Sequence, residues 1–374
     1  MDFSTNPDHA SIRDSVRTFL DKSGTEQDVR RAMDTPAGFD RTAWQALAQQ
    51  LGVAAIGIPE DLGGAGFGFA ELAVVLEEVG AALLPSPLLA SRVLAAEALI
   101  RSGDPGVRRE VEALASGGSL GTLALSAAGG AWSPEVTQVE ASHDGEELRL
   151  TGEACFVLDG AVADTIVVVA LLDGRPELFV VGGGATGLVA DPLDTVDLTR
   201  HQARLTFTGT PARKVTCTRP AAAVIGEVLD LAAIALAAEQ VGGAQRCLDM
   251  SVEHAKTRIQ FGRPVGSFQA IKHKCANVLL ELDAARSAVR AAAWSVDHAP
   301  EEVPVLAAMV KAHCSETYEL AARECIQIHG GMGFTWEFAA QLYFKRAHSS
   351  SLLFGSPRHH REALADRLGL GAAV

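Results

Sequence analysis

Two short segments in the last third of the chain carry residue types that could hold a phosphorylated, ring-bearing ligand. In RIQFGRPVGSFQAIKHK, Arg258 offers a planar cationic fork for a phosphate, and Phe261 offers a flat apolar face for a ring. The alternative for such a pair is a structural ion pair and a core aromatic. In QIHGGMGF, Gly330 and Gly331 follow a helical pattern and would let backbone N–H groups approach an anion closely; a glycine helix cap is the alternative. A proton carrier is less obvious. Glu239 sits in AIALAAEQVGGA, a run otherwise apolar, where burial could raise its pKa toward a useful value. The competing reading is a helix-interior acid paired with an arginine or capping a neighbouring helix. Asp230 and Glu227 come just before it. His254, His273 and His313 have no Ser or Cys nucleophile pattern around them, which argues against a hydrolase.

Other patterns give less. Gly63, Gly64, Gly66 and Gly68 suggest a phosphate loop, but no strand of a βαβ unit precedes them, so they read as a tight loop between helices. Cys155, Cys217, Cys247, Cys275, Cys314 and Cys325 are scattered, with no close CxxC pair and no zinc spacing. Such thiols, in a chain starting MDFSTNPDHA without an apolar signal segment, are expected of a reducing cytoplasm. The formal charge of -14 and the absence of a basic stripe argue against nucleic acid. The apolar stretches LAVVLEEVGAALLPSPLLA and LDLAAIALAAEQVGGA are broken by acids or prolines, and no membrane span is expected.

The elements that must position these residues follow from periodicity. The 374 residues, 48% hydrophobic and 21% charged, suffice for a large globular core. Residues 1–115 read as helices, with RTAWQALAQQL from Arg41 to Leu51, ELAVVLEEVGAAL, and a further run after Ser86 through Arg101. Residues 116–220 change to β-branched runs, with strands at Thr165 to Ala170, ELFVV and HQARLTFTG and a turn at Asp159-Gly160. Residues 221–374 return to long helical patterns. The expected fold class is α+β: an N-terminal helical domain, a central β domain (a small barrel or stacked sheets) and a C-terminal helical bundle.

The segments RIQFGRPVGSFQAIKHK and QIHGGMGFTWE resemble the flavin-contacting signatures of the acyl-CoA dehydrogenase family. LGVAAIGIPEDLGGAGFGFAELAVVLEEVG is similar to that family's N-terminal helical segment, which packs near the acyl pocket. The resemblance covers nearly the whole chain. It implies that Arg258, Phe261, Gln269, Gln327, Gly330 and Gly331 contact the pyrophosphate and adenosine part of an FAD held by a neighbouring subunit, and that His329 is a packing or interface residue. Around the flavin ring the chain departs from the pattern. The stretch from Ser126, SAAGGAWS, keeps one hydroxyl, but Ala127 lacks an acid and Trp132 replaces a phosphate-contacting Ser. Phe156 can still cover the ring, whereas Leu158 cannot give the hydroxyl hydrogen bond of the family's Thr. Arg200, in DLTRH, matches a stretch near the flavin edge; a surface or interface ion pair is the alternative.

The reaction that the resemblance implies removes a proton alpha to a thioester and passes a hydride from the beta carbon to FAD. The two positions where the family keeps its carboxylate hold Phe354 and Ala232, leaving Glu239 as the reserve base. Three functions follow: an FAD-dependent acyl-CoA dehydrogenase giving a 2,3-enoyl-CoA, a non-catalytic FAD-supporting subunit of a heterotetramer, or a related flavin oxidase. The supporting subunit is similar to actinobacterial relatives that handle steroid side chains. The implied partners are an acyl-CoA substrate, an electron-transfer flavoprotein or similar acceptor, and further subunits in a homodimer, homotetramer or heterotetramer.

Overall fold

Helices, then strands, then helices again follow one another in a computed structural model that describes residues 7–370. The leading MDFSTN of the segment read for a signal lies outside them. Before the strands come α1 (Pro7–Ser23), α2 (Glu26–Met33), α3 (Arg41–Gln45), α4 (Phe69–Ala81), α5 (Glu97–Ser102) and α6 (Arg108–Ala115). Then follow β1 (Gly121–Ala124), β2 (Gln138–Asp144), β3 (Glu147–Leu158), β4 (Thr165–Leu172), β5 (Arg175–Gly182), β6 (Leu188–Pro192) and β7 (Gln202–Val215). The last part holds α7 (Ala221–Thr257), the hairpin β8 (Ile259–Gln260) and β9 (Arg263–Pro264), α8 (Gln269–His298), α9 (Val303–His329), α10 (Ala340–Leu352) and α11 (Pro357–Arg367).

Two expected helices are wider than ideal in part. The Arg41 run opens into a π-helical turn at Ala46–Gln50, and the run after Ser86 starts as a π-helix at Leu89–Ala96 before α5. The second coincides with a buried arginine, Arg92, whose Nε donates to the Ile56 carbonyl (2.6 Å) and whose Nη1 donates to Glu97 (2.7 Å).

The described residues form two compact units. In the unit made of Arg30–Gly68 and Pro85–Ala232, the strands close on themselves. β2–β3, β3–β7, β7–β5 and β5–β4 pair antiparallel, and a parallel β4–β2 pairing completes the ring. β1 lies parallel beside β4, and β6 antiparallel beside β7. Period-2 alternation builds the interior: Ala203, Leu205 and Phe207 of β7 face inward onto Val139, Leu150, Val168 and Phe179. Of the two expected β architectures, these pairings give the small barrel.

The other unit takes residues 7–29, Phe69–Leu84 and 233–370. Here α4 and α7 cross at bare backbone. A Cβ on Gly80 would lie 2.1 Å from the Glu239 carbonyl oxygen, and one on Gly242 would lie 1.8 Å from that of Glu77. That close approach is what Gly80 and Gly242 provide. α1 buries Val16 and Leu20 and otherwise docks by charge. Arg13 donates to Glu78 (2.5 Å) and Glu77 (2.8 Å), Arg17 holds Glu78 with both Nε and Nη2, and Arg286 reaches Glu77 at 3.1 Å. Burial pushes the Glu77 carboxyl up, but Arg13 and Arg286 outweigh it and hold the group below the usual carboxylate range.

By length and composition α7 alone among the described helices could cross a membrane, despite the acids that interrupt it. Its apolar window is 72% buried inside the protein, as a core helix would be. The six cysteines form no disulfide, and no metal-holding cluster occurs among the described residues.

Candidate functional site

The ends of α7 and α9 meet. His254, one turn before Arg258, packs its ring 4.3 Å from that of His329, and His329 in turn lies 4.5 Å from the Phe338 ring. His329 is buried with its Nδ1 2.7 Å from the Cys325 carbonyl, a packing position. From this junction the expected ligand-holding residues project outward. After Arg258 the chain turns back through β8 and β9, with Val265 N–H donating to the Arg258 carbonyl at 2.8 Å. The turn residues Phe261 and Gly262 both have positive φ (54° and 75°), as the tightest hairpin turns require. That strained turn lifts the Phe261 ring into solvent, 89% exposed and edge-on to Phe268 at 6.0 Å. Arg258 and Gln269, at the start of α8, are exposed beside it.

At the end of α9, Gln327 is exposed, and its carbonyl accepts the Gly330 N–H that caps the helix. The glycines are therefore a cap, as the simpler reading had it, yet they also leave room. A Cβ on Gly330 or Gly331 would meet nothing within 4 Å, so the backbone there is open to a ligand. Phe334 and Trp336, just beyond, are 78% and 51% exposed.

The remaining ring-side residues belong to the barrel unit. Ser126 and Phe156 lie side by side: the Cys155 N–H donates to the Ser126 carbonyl (2.8 Å), and the would-be Cβ of Gly130 sits 3.8 Å from the Phe156 ring. Phe156 occupies the irregularity between Ala154 and Val157 of β3, with φ of 55°, which turns its ring out of the strand's alternation. The Ser126 hydroxyl is buried and turned to the neighbouring Ala127 carbonyl at 3.2 Å. Leu158 is buried and contributes only its carbonyl, which accepts from Thr122 Oγ1 at 2.5 Å. Trp132 is half-buried. Arg200 is buried next to a local turn in which Thr199 donates twice to Asp197.

Both positions where the family keeps its carboxylate are buried. Ala232 is fully buried, and Phe354 is 3% exposed with φ of 60°. The turn at Phe354 is pinned from below. Lys311, 0% exposed on α9, donates to Ser315 Oγ (3.2 Å), Ser351 O (3.2 Å) and Gly355 O (3.0 Å), while Gln240 Nε2 holds Ser315 at 3.0 Å. His360 Nε2 lies 3.0 Å from the Phe354 carbonyl; burial first and the Lys311 charge second push its ring down to about 3, so it donates there as a neutral imidazole. Glu239 is buried on α7, with Oε2 3.6 Å from Arg346 of α10. Glu227 is bound by Arg219 and by Arg101; hydrogen bonds from Arg219 hold its carboxyl low. Asp230 is buried as well. Lys311, Arg346 and Thr122 carried no signal in the sequence, because each acts through partners remote in the chain.

The residues at the ends of α7 and α9 fit the pyrophosphate and adenosine of the FAD that the resemblance implies: a cationic fork, an exposed ring, two amides and an open glycine backbone. The ring-side residues fit it less well, since Leu158 has no donor and Ser126 turns its hydroxyl inward.

Comparison with known proteins gives the same family from both ends of the chain. Residues 6–118 match the model of the acyl-CoA dehydrogenase N-terminal domain, and residues 222–369 match that of the acyl-CoA dehydrogenase C-terminal domain. The chain is 40% identical over 347 residues to acyl-CoA dehydrogenase IpdE2 of Mycobacterium tuberculosis, covering 93% of each. Among solved structures it is similar to the ChsE4-ChsE5 complex from Mycobacterium tuberculosis, with a TM-score of 0.90 at 30% identity, covering 100% of each chain. It is also similar to a Tcur3481-Tcur3483 steroid ACAD variant, with a TM-score of 0.88 at 28% identity, covering 98% of this chain and 99% of that one.

Proposed function

Because the chain belongs to the acyl-CoA dehydrogenase family, oxidoreductases acting on CH–CH bonds, we propose that it works in FAD-dependent α,β-dehydrogenation of an acyl-CoA thioester as one of two unlike subunits. The observation that carries this is a division of labour within one chain. Arg258, Phe261, Gln269 and Gln327 are exposed and ready for a ligand, whereas both carboxylate positions hold buried apolar residues. In this reading the Arg258 guanidinium binds the pyrophosphate, Phe261 stacks on the adenine, the two amides orient the ribose side, and the Gly330 and Gly331 N–H groups face the phosphates. FAD, when bound, supplies the acceptor for the hydride from the beta carbon. The carboxylate that takes the alpha proton belongs to the unlike subunit; Phe354 stands where the family keeps that carboxylate, and Leu158 where it keeps a hydroxyl donor.

The similarity to a steroid ACAD and to a two-protein complex supports a steroid-type acyl-CoA substrate and a heterotetramer. An electron-transfer flavoprotein or similar carrier would reoxidise the flavin, and the unpaired thiols suit a cytoplasmic setting. We take 1–115, 116–220 and 221–374 as the functional segments. The test is the flavin-to-chain ratio. Expressed alone, the soluble folded chain is expected to retain far less than one FAD. Co-expressed with the unlike subunit it should hold FAD, and Arg258→Ala should release it. One FAD per chain and full dehydrogenation by the lone chain would overturn the reading.

A second reading keeps Glu239 as the base, favoured by its burial two helical turns after Ala232. It requires Glu239 to part from Arg346. Glu239→Gln would then abolish flavin reduction with FAD still bound, and unchanged reduction would exclude it.

A further inference from the structure

A cavity of about 920 Å³ lies wholly within the helical unit, between α1, α4, α7, α8 and the start of α10. Neither proposed reading uses it. Five arginines line it: Arg13, Arg17, Arg246, Arg286 and Arg290. Three are neutralised. Arg13 and Arg17 are tied to Glu77 and Glu78, and Arg286 is tied to Glu77 and to the Gln245 side-chain oxygen. Arg246 and Arg290 are not: among the described residues no carboxylate pairs with either, and both are exposed, Arg246 beside the Tyr343 hydroxyl. Three further acids line the cavity, Asp21, Glu26 and Asp249, the last accepting from the Gln245 amide at 2.7 Å. Apolar lining comes from Leu83, Met250, Phe338, Leu342 and the Tyr343 ring, whose hydroxyl is fixed by donation to the Ala81 carbonyl at 2.6 Å.

We propose that this cavity binds a small anionic ligand with an apolar body, a carboxylate or phosphate monoester, with Arg246 and Arg290 as its anion contacts. The volume suits a small molecule. The fixed pairs matter as much as the open ones. Glu77 and Glu78, saturated by three guanidinium groups, do not compete for the remaining two. The rigid aromatic wall gives the apolar part a surface that needs no reordering.

Isothermal titration of the flavin-loaded protein, in whatever assembly retains FAD, with decanoate and separately with inorganic phosphate is the test. Decanoate is expected to bind, and Arg246→Gln and Arg290→Gln are each expected to weaken it by about tenfold. Arg246→Lys, which keeps the charge, should recover part of the loss and separates a lost contact from a lost fold. Phosphate binding with the same variant dependence would assign the site to phosphate monoesters, and decanoate alone to carboxylates. No heat with either probe, wild-type affinity in both glutamine variants, or displacement of decanoate by butyryl-CoA would each overturn the proposal, the last by placing decanoate in the acyl site.

Discussion

Replacing Lys311 by methionine tests how the turn at Phe354 is held. The side chain keeps much of its length but loses its charge and its donors. Ser315 retains Gln240 at 3.0 Å, so the loss falls on the carbonyls of Ser351, which is buried, and Gly355, which is half-buried. Each buried acceptor left without a donor costs about 1–3 kcal/mol, and relief from burying an ammonium returns part of that. The net expectation is a loss of about 2–4 kcal/mol, large against the total stability of an ordinary domain. Urea unfolding followed by circular dichroism should show a lower midpoint at an unchanged slope. A second readout is independent of the first. Burial and the Lys311 charge together hold His360 at about 3, so Lys311→Met should raise the His360 pKa, seen by NMR titration of its ring protons. A Lys311→Met chain as stable as the wild type, or one with His360 unmoved, refutes the reasoning.

Acid should destabilise the fold in a defined window. His360 moves from an ordinary 6.5 to about 3 on folding, so its contribution is complete above pH 6.5 and is lost as pH falls toward 3. The unfolded chain takes up the proton first, which gives a slope of up to about 1.4 kcal/mol per pH unit. His360→Asn should flatten the stability profile between pH 6 and 4; parallel profiles would count against it. Glu77 is also held low, so the docking of α1 is complete above the usual carboxylate range and weakens as pH falls below it, measurable as faster amide exchange in α1. Gly80→Ala drives a Cβ to 2.1 Å from the Glu239 carbonyl oxygen and should cost about 1–3 kcal/mol or more, read from the melting temperature.

The strands β4, β5 and β7 were legible because their signal is local: alternation within Gln202–Val215 and dense apolar runs in Thr165–Leu172 and Arg175–Gly182. The exposed turn after α7, to which the proposed FAD contacts belong, was legible for a different reason. A helix that breaks into RIQFGRPVG must turn sharply, and the turn puts Phe261 outside. What stayed hidden depends on distance along the chain. Nothing local in VPVLAAMVKAHCSET marks Lys311 as buried, and its carbonyl acceptors stand 40 and 44 residues away. The acids that dock α1 are 61 to 65 residues from their arginines. The two compact units are each assembled from separated stretches, which composition read in order along the chain does not reveal. The π-helical stretch at Leu89–Ala96 was invisible too, and the carbonyl that Arg92 within it donates to stands 36 residues upstream.

The outward rings have a consequence for the cell. Phe261, Phe334 and Trp336 present large apolar faces to water from the moment the helical unit folds. Such faces are what chaperones and proteases sample on newly made chains. A chain made in excess of whatever covers these rings would keep signalling incompleteness, and its lifetime would track the supply of its companions rather than its own synthesis.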